Sequence, residues 1–261
     1  MYQGKWAVVT GASSGIGKEM ALQLSAYGMN LVLVARREAI LEEMKRAIVE
    51  VGCSCEILPL DLSLESSVGV LKNWLVEHSI HPCVVVNNAG VGLYGDFLTQ
   101  DAHALSQMLN LNVNALTMIS REIAPLMEKG GHLMLVSSTI AYIPSPKYCA
   151  YAATKSYVHS FGYALADALY PDISVTTLYP GVTNTEFFDV SHHSMAGWLK
   201  KIWMYEPECV ARAGLQALFA KKTRCIPGLL NRCMVYSTLM LPDYWRRGLL
   251  KKIFELSKHA E

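Results

Sequence analysis

The stretch Trp6-Ala-Val-Val-Thr-Gly-Ala-Ser-Ser-Gly-Ile-Gly17 decides the fold, because a short apolar run ends there in a turn with three glycines. Residues 19–24 follow with apolar side chains at helical spacing, so the pattern predicts a strand, a glycine turn and a helix. Glycines in such a turn let the backbone approach a pyrophosphate, which binds the free N–H groups at the start of the helix. The spacing is G-x-x-x-G-x-G rather than the general G-x-G-x-x-G, so a plain strand-to-helix turn stays open at this point.

Outward from this turn, apolar runs alternate with helical segments along most of the chain. This alternation predicts an α/β fold, a doubly wound parallel sheet with helices on both faces. A length of 261 residues suits a single domain spanning 1–261. The further strands are predicted at Asn30–Ala35, Cys55–Pro59, Val84–Val86, Leu133–Val136, Ser174–Tyr179 and Arg224–Pro227, and the further helices near 38–51, 64–79, 101–128, 147–170 and 208–221.

Composition narrows the class of protein. A formal net charge of +1 gives no reason to expect nucleic acid or an acidic partner. Hydrophobic residues make up 52% of the chain and charged residues 17%, which predicts a deeply buried sheet, an apolar oligomer surface, or both. The seven cysteines form no Cys-x-x-Cys pair, so we interpret them as reduced thiols of an intracellular protein. Without a leader pattern or a long uninterrupted apolar run, we expect a cytoplasmic protein that does not span a membrane.

Two arginines, Arg36 and Arg37, follow the second predicted strand. Sites that choose NAD place Asp or Glu near this position, where the carboxylate binds the ribose 2′-hydroxyl. An arginine fork pairs instead with a 2′-phosphate, so the charge at this position favours NADP over NAD. We assign the phosphate role to Arg36, whereas for Arg37 a solvent-exposed position in the loop stays equally open.

Polar residues also follow the third and fourth predicted strands. Asp61 either accepts a hydrogen bond from an adenine amino group or caps the next helix, for which Ser63 is the better N-cap candidate. The stretch Asn87-Asn-Ala-Gly90 ends the fourth strand in small and polar residues, as a cofactor-facing loop requires. Asn87 is alternatively a turn residue that bonds its own backbone.

Tyr151 and Lys155 are four residues apart on a predicted helix and therefore lie on one face. A nearby ammonium stabilises a phenolate and lowers the tyrosine pKa from about 10 toward neutrality, so that the phenol can exchange a proton with an alcohol oxygen. Ser138 follows a buried strand, and its hydroxyl is expected at the carboxyl end of the sheet, where such folds bind ligands. Taken alone, Tyr-x-x-x-Lys is short and common, and an ordinary exposed helical pair stays open.

Together these motifs resemble the short-chain dehydrogenase/reductase superfamily, a single-domain Rossmann-type fold, over Trp6–Thr185. The glycine spacing is the one this family uses. The motifs that carry the resemblance are Thr10–Gly17, Asp61, Asn87–Gly90, Asn112, Ser138, Tyr151-x-x-x-Lys155 and Pro180–Gly181, which occur in this order.

The resemblance implies roles for the catalytic set. Tyr151 would be the general acid of ketone reduction or the base of alcohol oxidation, and Ser138 would orient and polarise the carbonyl. Lys155 would lower the pKa of Tyr151 and bond the nicotinamide ribose. Asn112, rather than Asn114, would hold a water that connects the lysine to solvent.

The resemblance also implies the cofactor contacts. Arg36 would bind the 2′-phosphate, Asp61 and Leu62 the adenine, 88–90 the adenosine ribose and Thr185 the carboxamide. The full set expected to contact the cofactor is Gly11, Ser13, Ser14, Gly15, Ile16, Gly17, Arg36, Arg37, Asp61, Leu62, Asn88, Ala89, Gly90, Tyr151, Lys155, Pro180, Gly181, Thr183 and Thr185.

The carboxyl-terminal part is less decisive. Segment 186–206 occupies the family's substrate-covering position, and its large apolar side chains either cover a hydrophobic substrate or pack against protein. His192-His193 lacks nearby carboxylates or thiols, so we expect no metal site. The extension 228–261 loosely resembles ketoacyl and hydroxysteroid reductases. Its basic amphipathic stretch 243–258 either lies on a membrane surface or, as we favour, docks on its own protein.

These observations predict an NADP(H)-dependent oxidoreductase that moves a hydride between nicotinamide and a ketone or secondary alcohol with an apolar body. A non-catalytic NADP-binding or sensing protein on the same fold is the alternative, because a fold does not fix a function. By resemblance we expect a homodimer or homotetramer.

Overall fold

The computed structural model describes residues 2–143, 145–184 and 204–242. Over these ranges seven parallel strands form one sheet in the order β3-β2-β1-β4-β5-β6-β7, which confirms the predicted doubly wound sheet. The strands are β1 Trp6–Thr10, β2 Asn30–Ala35, β3 Cys55–Pro59, β4 Pro82–Asn87, β5 Gly131–Val136, β6 Ile173–Leu178 and β7 Arg224–Cys225.

Helices cover both faces of this sheet. They are α1 Gly15–Ala26, α2 Glu38–Glu50, α3 Ser66–Glu77, α4 Ala102–Leu109, α5 Leu116–Ile123, α6 Cys149–Ala168, α7 Pro207–Phe219 and α8 Leu229–Met240. Short turns of 3-10 helix lie at Phe97–Thr99, Ala124–Leu126, Thr139–Tyr142 and Pro146–Tyr148, and a π-helical segment lies at Asn110–Ala115.

The two cores lie on opposite faces of the sheet, because successive strand residues point to opposite sides. On one face Val9 and Leu33 pack with apolar side chains of α1, α2 and α7. On the other face Val8 and Val32 pack with side chains of α3, α5 and α6. Strands buried on both faces read as continuous apolar runs, which is why their positions were predictable.

Strand order places a crevice beside β1. The chain runs outward from β1 through β2 to β3, then crosses back to form β4 on the other side of β1. The loops after β1 and β4 therefore diverge at the carboxyl edge of the sheet. Open α/β sheets bind their ligands at such a switch point.

The long helix predicted over 101–128 is present without a break from Ala102 to Leu126, but its type changes along the way. It consists of α4, the π-helical segment Asn110–Ala115, α5 and a 3-10 turn. Buried Asn112 hydrogen-bonds outside its own helix at this point, and such contacts accompany π-helical segments at functional sites.

Two predictions of element boundaries are wrong. Ser63 does not cap α3, whose N-cap is Glu65, because its N–H and hydroxyl donate to Asp61 Oδ1 instead. The last strand ends at Cys225 rather than Pro227.

Helix α8 packs through buried Val235 against Tyr142, Tyr179 and Ile226, beside the turn that follows Ser138. No helix within 2–143, 145–184 and 204–242 is long and apolar enough to cross a membrane. The predictions for Thr185, for most of 186–206 and for 243–258 fall on residues outside the described ranges.

Candidate active site

The glycine turn after β1 is built for close approach of backbone to backbone. Gly11 has a φ of +64°, and a Cβ there would lie 2.7 Å from Asn88 Nδ2. A Cβ on Gly17 would overlap both the Gly11 carbonyl oxygen and the Asn88 amide. Side chains at either position would therefore push the turn away from the β4 loop.

Thr10 ties the ends of β1 and β4 together. Its hydroxyl accepts from the backbone N–H groups of Asn88 at 2.9 Å and Ala89 at 3.0 Å, and donates to Val86 O at 3.3 Å. Asn88 Nδ2 donates in return to Thr10 O at 2.9 Å. Side chains and backbone thus fix both walls of the crevice relative to each other.

Arg36 and Arg37 are both exposed after β2, and both line the crevice. Arg37 reaches the glycine turn, where Nη2 donates to Ser13 O at 3.0 Å and Nε to Ser13 Oγ at 3.2 Å. Arg37 therefore holds the turn rather than simply projecting from its loop. No hydrogen bond of Arg36 to another described residue is recorded, and its charge acts on Asp61.

Asp61 is engaged by its own loop and also faces the crevice. Its Oδ1 accepts from Ser63 N at 3.0 Å and from Ser63 Oγ at 2.7 Å. Burial opposes ionisation of Asp61, but these bonds and the positive charge of Arg36 together lower its pKa. Asp61 therefore does not cap α3, whose N-cap is Glu65, and its carboxylate both holds the turn and lines the crevice.

Asn87 and Asn112 are both buried, and their amides hydrogen-bond to different elements. Asn87 Nδ2 donates to Leu116 O of α5 at 2.9 Å, so it anchors β4 and does not bond its own turn. Asn112 Oδ1 accepts from Val91 N at 3.0 Å, and its Nδ2 donates to Val91 O at 2.8 Å. Gly90 lies beside it, because a Cβ there would lie 3.1 Å from Asn112 Oδ1 and 3.4 Å from Lys155 Nζ.

Ser138, Tyr151 and Lys155 converge at the carboxyl end of β5. The Tyr151 hydroxyl hydrogen-bonds to Ser138. Lys155 lies one turn further along α6, with Nζ 5.8 Å from the Tyr151 ring centroid and donating to Val136 O at 2.9 Å. Ser137 Oγ donates to Lys155 O at 2.8 Å and joins the end of β5 to α6.

Burial governs the protonation of this pair. Desolvation raises the pKa of Tyr151, outweighing the hydrogen bond from Ser138 that lowers it. Desolvation also lowers the pKa of Lys155 to about 8. Burial therefore outweighs the effect of Lys155 that the sequence predicted, and the pKa of Tyr151 lies above its ordinary value rather than toward neutrality. At pH 7 the phenol is protonated and the amine is charged.

One cavity of about 550 Å³ joins the crevice to the tyrosine–lysine pair. It runs from the glycine turn and the two arginines to Ser138, Tyr151 and the segment after β6. The predicted site residues that line it are Gly11, Ser13, Ser14, Gly15, Ile16, Arg36, Arg37, Asp61, Leu62, Asn88, Ala89, Gly90, Ser138, Tyr151, Lys155, Pro180, Gly181 and Thr183.

Two predicted residues within the described ranges do not line the cavity. Gly17 lies beneath the turn, and Asn112 lies behind Gly90. Thr185 is outside the described ranges.

The sequence analysis missed the apolar end of the cavity. Tyr148 lies three residues before Tyr151, so helical spacing already indicated a shared position near the phenol. Met234 of α8 had no such signal, because only the tertiary fold brings that helix to the site. Buried Asn231 touches Gly181, where an added Cβ would overlap its amide. The missed lining residues at this end are Val91, Leu111, Thr139, Ile140, Ile143, Tyr148, Val182 and Met234.

No group of three or more histidine, cysteine or acidic residues within the described ranges is arranged to hold a metal ion. All seven cysteines are free thiols, and four of them are buried.

A parallel sheet with a glycine turn at its switch point and a tyrosine–lysine pair beyond it defines a nucleotide-binding oxidoreductase. Residues 5–195 match the family model described as short chain dehydrogenase, and the chain belongs to that family. Members of this kind act on ketones and alcohols.

Individual proteins agree with this placement. A very-long-chain 3-oxoacyl-CoA reductase of Meyerozyma guilliermondii is 33% identical over 183 residues, which cover 65% of this chain and 53% of that protein. A Sphingobium yanoikuyae short-chain dehydrogenase solved with NADPH superposes with a TM-score of 0.79 and 27% identity over 95% of both chains. A Burkholderia phymatum family member solved with NAD shares the fold, with a TM-score of 0.80 and 22% identity over 90% of this chain and 92% of that one.

Proposed function

We propose that this chain is an NADP(H)-dependent oxidoreductase that interconverts a ketone and a secondary alcohol with an apolar body. The observation that carries this proposal is one continuous cavity, which joins the glycine turn and two arginines to the hydroxyls of Ser138 and Tyr151. A nucleotide site and a proton donor therefore share one space, as hydride transfer coupled to proton transfer requires.

The residues present fit a dinucleotide. Gly11 and Gly15 of the turn line the cavity, and α1 carries no acidic residue in its first turn to oppose an anion there. The arginines at the end of β2 would meet the adenosine end. A bound nicotinamide would supply the hydride donor or acceptor.

The choice of NADP over NAD rests on charge. Arg36 and Arg37 line the cavity where an NAD site would carry an acidic residue, and Arg37 is already held against Ser13. Guanidinium groups bind phosphate oxygens through paired, charge-assisted hydrogen bonds. Both NADPH and NAD occur among the related structures, so this choice is argued from the residues of this chain.

Tyr151 moves the proton. Because burial raises its pKa, the phenol stays protonated at pH 7 and can donate to a carbonyl oxygen during reduction. The Ser138 hydroxyl bonds to it and is within reach of the same oxygen. The charged Lys155 ammonium favours the phenolate that remains after donation. In alcohol oxidation the same groups act in reverse.

The substrate end of the cavity favours an apolar body. Ile140, Ile143, Tyr148, Val182 and Met234 line it, and none of these side chains carries a charge. Burying an apolar ligand surface against them is favourable by about 25 cal/mol per Å².

We propose in addition a homo-oligomer that assembles through α5 and α6. These helices expose large side chains, including Met118 at 41%, Tyr157 at 38% and Tyr163 at 63%. Exposed apolar and aromatic groups of this kind are enriched in protein interfaces.

A fluorescence titration tests the nucleotide half of the proposal. Wild-type protein is expected to bind NADPH more tightly than NADH, and Arg36→Ala is expected to lose that preference. A charge-assisted hydrogen bond contributes about 1.5–3 kcal/mol, or roughly 10- to 100-fold in Kd. Arg46→Ala is the matched control, because Arg46 is an exposed arginine of α2 outside the cavity. Equal affinity of the wild type for both nucleotides contradicts the choice of NADP.

Turnover tests the catalytic half. Tyr151→Phe is expected to abolish ketone reduction while leaving nucleotide affinity within about twofold, since it removes the proton and little volume. Unchanged turnover refutes the role of Tyr151. Tight nucleotide binding by a wild type that reduces no apolar ketone favours the non-catalytic alternative.

A further inference from the structure

A second cavity lies away from the active site, between α7, β7 and α8, with a volume of about 370 Å³. Strand β7 is the last strand of the sheet, so the cavity lies at a sheet edge, and residues of α7 and α8 line it. Among the described residues, none lines both this cavity and the active-site cavity. Its lining residues are Ala213, Gln216, Ala217, Lys222, Arg224, Cys225, Ile226, Arg232 and Tyr236.

Three cations converge on this cavity, namely Lys222, Arg224 and Arg232. No acidic residue of the described ranges lines it, and none of the three cations forms an ion pair with a carboxylate of those ranges. Like charges that share a concave site raise its positive potential, which an anion would neutralise.

The two guanidinium groups are held in place by neighbouring groups of the protein. Arg224 Nη2 donates to the Tyr236 hydroxyl at 2.9 Å, and its guanidinium carbon lies 5.5 Å from the Tyr236 ring centroid. Arg232 Nε donates to Ile226 O at 2.9 Å. Arg224 also hydrogen-bonds to Tyr142. A guanidinium carries five N–H donors, so both arginines are oriented by the protein and keep further donors for a ligand.

We infer that this cavity binds a phosphate-bearing anion. A phosphate brings up to two negative charges and three acceptor oxygens, which match three cations that include two planar forks. A single carboxylate would leave most of the positive charge uncompensated. The Tyr236 hydroxyl and the Gln216 amide add neutral hydrogen-bonding groups to the lining.

Two kinds of ligand carry such a phosphate group, namely a soluble phosphorylated compound and the headgroup of an anionic lipid. Both would present the same oxygens to the three cations. The lipid source is tested because α8, which carries Arg232, also exposes apolar residues. Leu229 is 73% exposed, Leu239 48% and Met240 86%. Cations beside exposed apolar groups are the combination that favours contact with anionic membranes.

Calorimetric titration with inorganic pyrophosphate tests the site, with saturating NADP(H) present to occupy the active-site cavity. Wild type is expected to bind one pyrophosphate per chain, more weakly as salt is added. Lys222→Gln, Arg224→Gln and Arg232→Gln are each expected to weaken binding roughly tenfold, and the triple variant to abolish it. The readout is binding and does not depend on turnover, so it stands apart from the proposed reaction.

Arg212→Gln is the matched control. Arg212 is an exposed arginine of α7 that pairs with Glu208 and does not line the cavity. The variant removes the same charge and is expected to bind pyrophosphate like the wild type. An equal loss in Arg212→Gln assigns the binding to net charge and overturns the inference. Lack of binding by the wild type, or unchanged binding by a folded triple variant, overturns it as well.

Vesicle co-sedimentation separates the two sources. Vesicles of phosphatidylcholine with and without phosphatidic acid are mixed with wild type and with the triple variant. Binding only to the acidic vesicles, displaced by pyrophosphate and lost in the triple variant, identifies a lipid headgroup. Pyrophosphate binding without vesicle binding identifies a soluble ligand.

Discussion

Replacing Lys155 with methionine is expected to stabilise the folded protein while abolishing turnover. The lysine is 5% exposed, and burial lowers its pKa from 10.5 to about 8. A base that binds its proton less tightly in the folded state than in the unfolded state destabilises the fold while it is charged. This fall in pKa corresponds to about 3 kcal/mol of unfolding free energy at neutral pH.

One lost hydrogen bond opposes this gain. Lys155 Nζ donates to Val136 O at 2.9 Å, and methionine cannot replace that donor. Leaving a buried acceptor without its partner costs about 1–3 kcal/mol. The net effect expected at pH 7 is therefore a stabilisation of about 0–2 kcal/mol.

The pH dependence identifies the cause. Between pH 8 and 10.5 the unfolded chain keeps the lysine proton that the folded chain has lost, so the stability of the wild type rises with pH. The advantage of Lys155→Met is fully present below the folded pKa, shrinks across this window and reverses above it. Above the window only the lost hydrogen bond distinguishes the two proteins.

Urea unfolding at fixed protein concentration, repeated from pH 7 to pH 10, measures this difference. Lys129→Met serves as the control, because Lys129 is exposed and its removal is expected to give no trend with pH. A stability difference between Lys155→Met and wild type that stays constant across this range refutes the reasoning. So does a variant less stable than wild type at pH 7.

Three further predictions follow from the same geometry. Gly17→Ala is expected to weaken nucleotide binding at least tenfold in a fluorescence titration, because its Cβ overlaps the turn. Gly69→Ala on exposed α3 has free space, so it should leave nucleotide binding unchanged and raise the unfolding free energy measured in urea by about 0.5–1 kcal/mol. The same change in nucleotide affinity and in unfolding free energy for both variants would contradict this. Met234→Ala is expected to lower KM for bulkier apolar ketones relative to small ones, whereas Met240→Ala, 86% exposed, should leave the ratio unchanged. The rate of ketone reduction should hold at neutral pH and fall as pH rises through about 8, because Lys155 loses its charge; a rate that climbs above pH 8 argues against that role.

Sequence patterns predicted the strands well, for a local reason. β2 and β3 have the predicted bounds. β2 is an apolar run after Asn30 that Arg36 closes, and β3 ends at Pro59. These signals lie within the strand and its next residues. The switch point and the meeting of Ser138 with Tyr151 then follow from the rules of parallel sheets.

The features that the sequence did not predict also have a shared cause. The π-helical segment around Asn112 and the contact of Arg37 with Ser13 both depend on partners far along the chain. Propensity and spacing describe neighbours within a few residues, so they do not register such partners. The prediction of the Tyr151 pKa was wrong for a related reason. The spacing along the helix placed Lys155 near the phenol, but it did not indicate how deeply the phenol is buried.

Thr10 shows how much of the nucleotide site exists before any ligand arrives. Its hydroxyl donates once and accepts twice, which uses its whole hydrogen-bonding capacity within the protein. The loops after β1 and β4 consequently lose their conformational entropy on folding rather than on binding. Association with a nucleotide should thus be fast and of small ordering cost at this end. Under the proposed preference for NADP, we expect discrimination between nucleotides to depend on the arginines rather than on the ordering of these two loops.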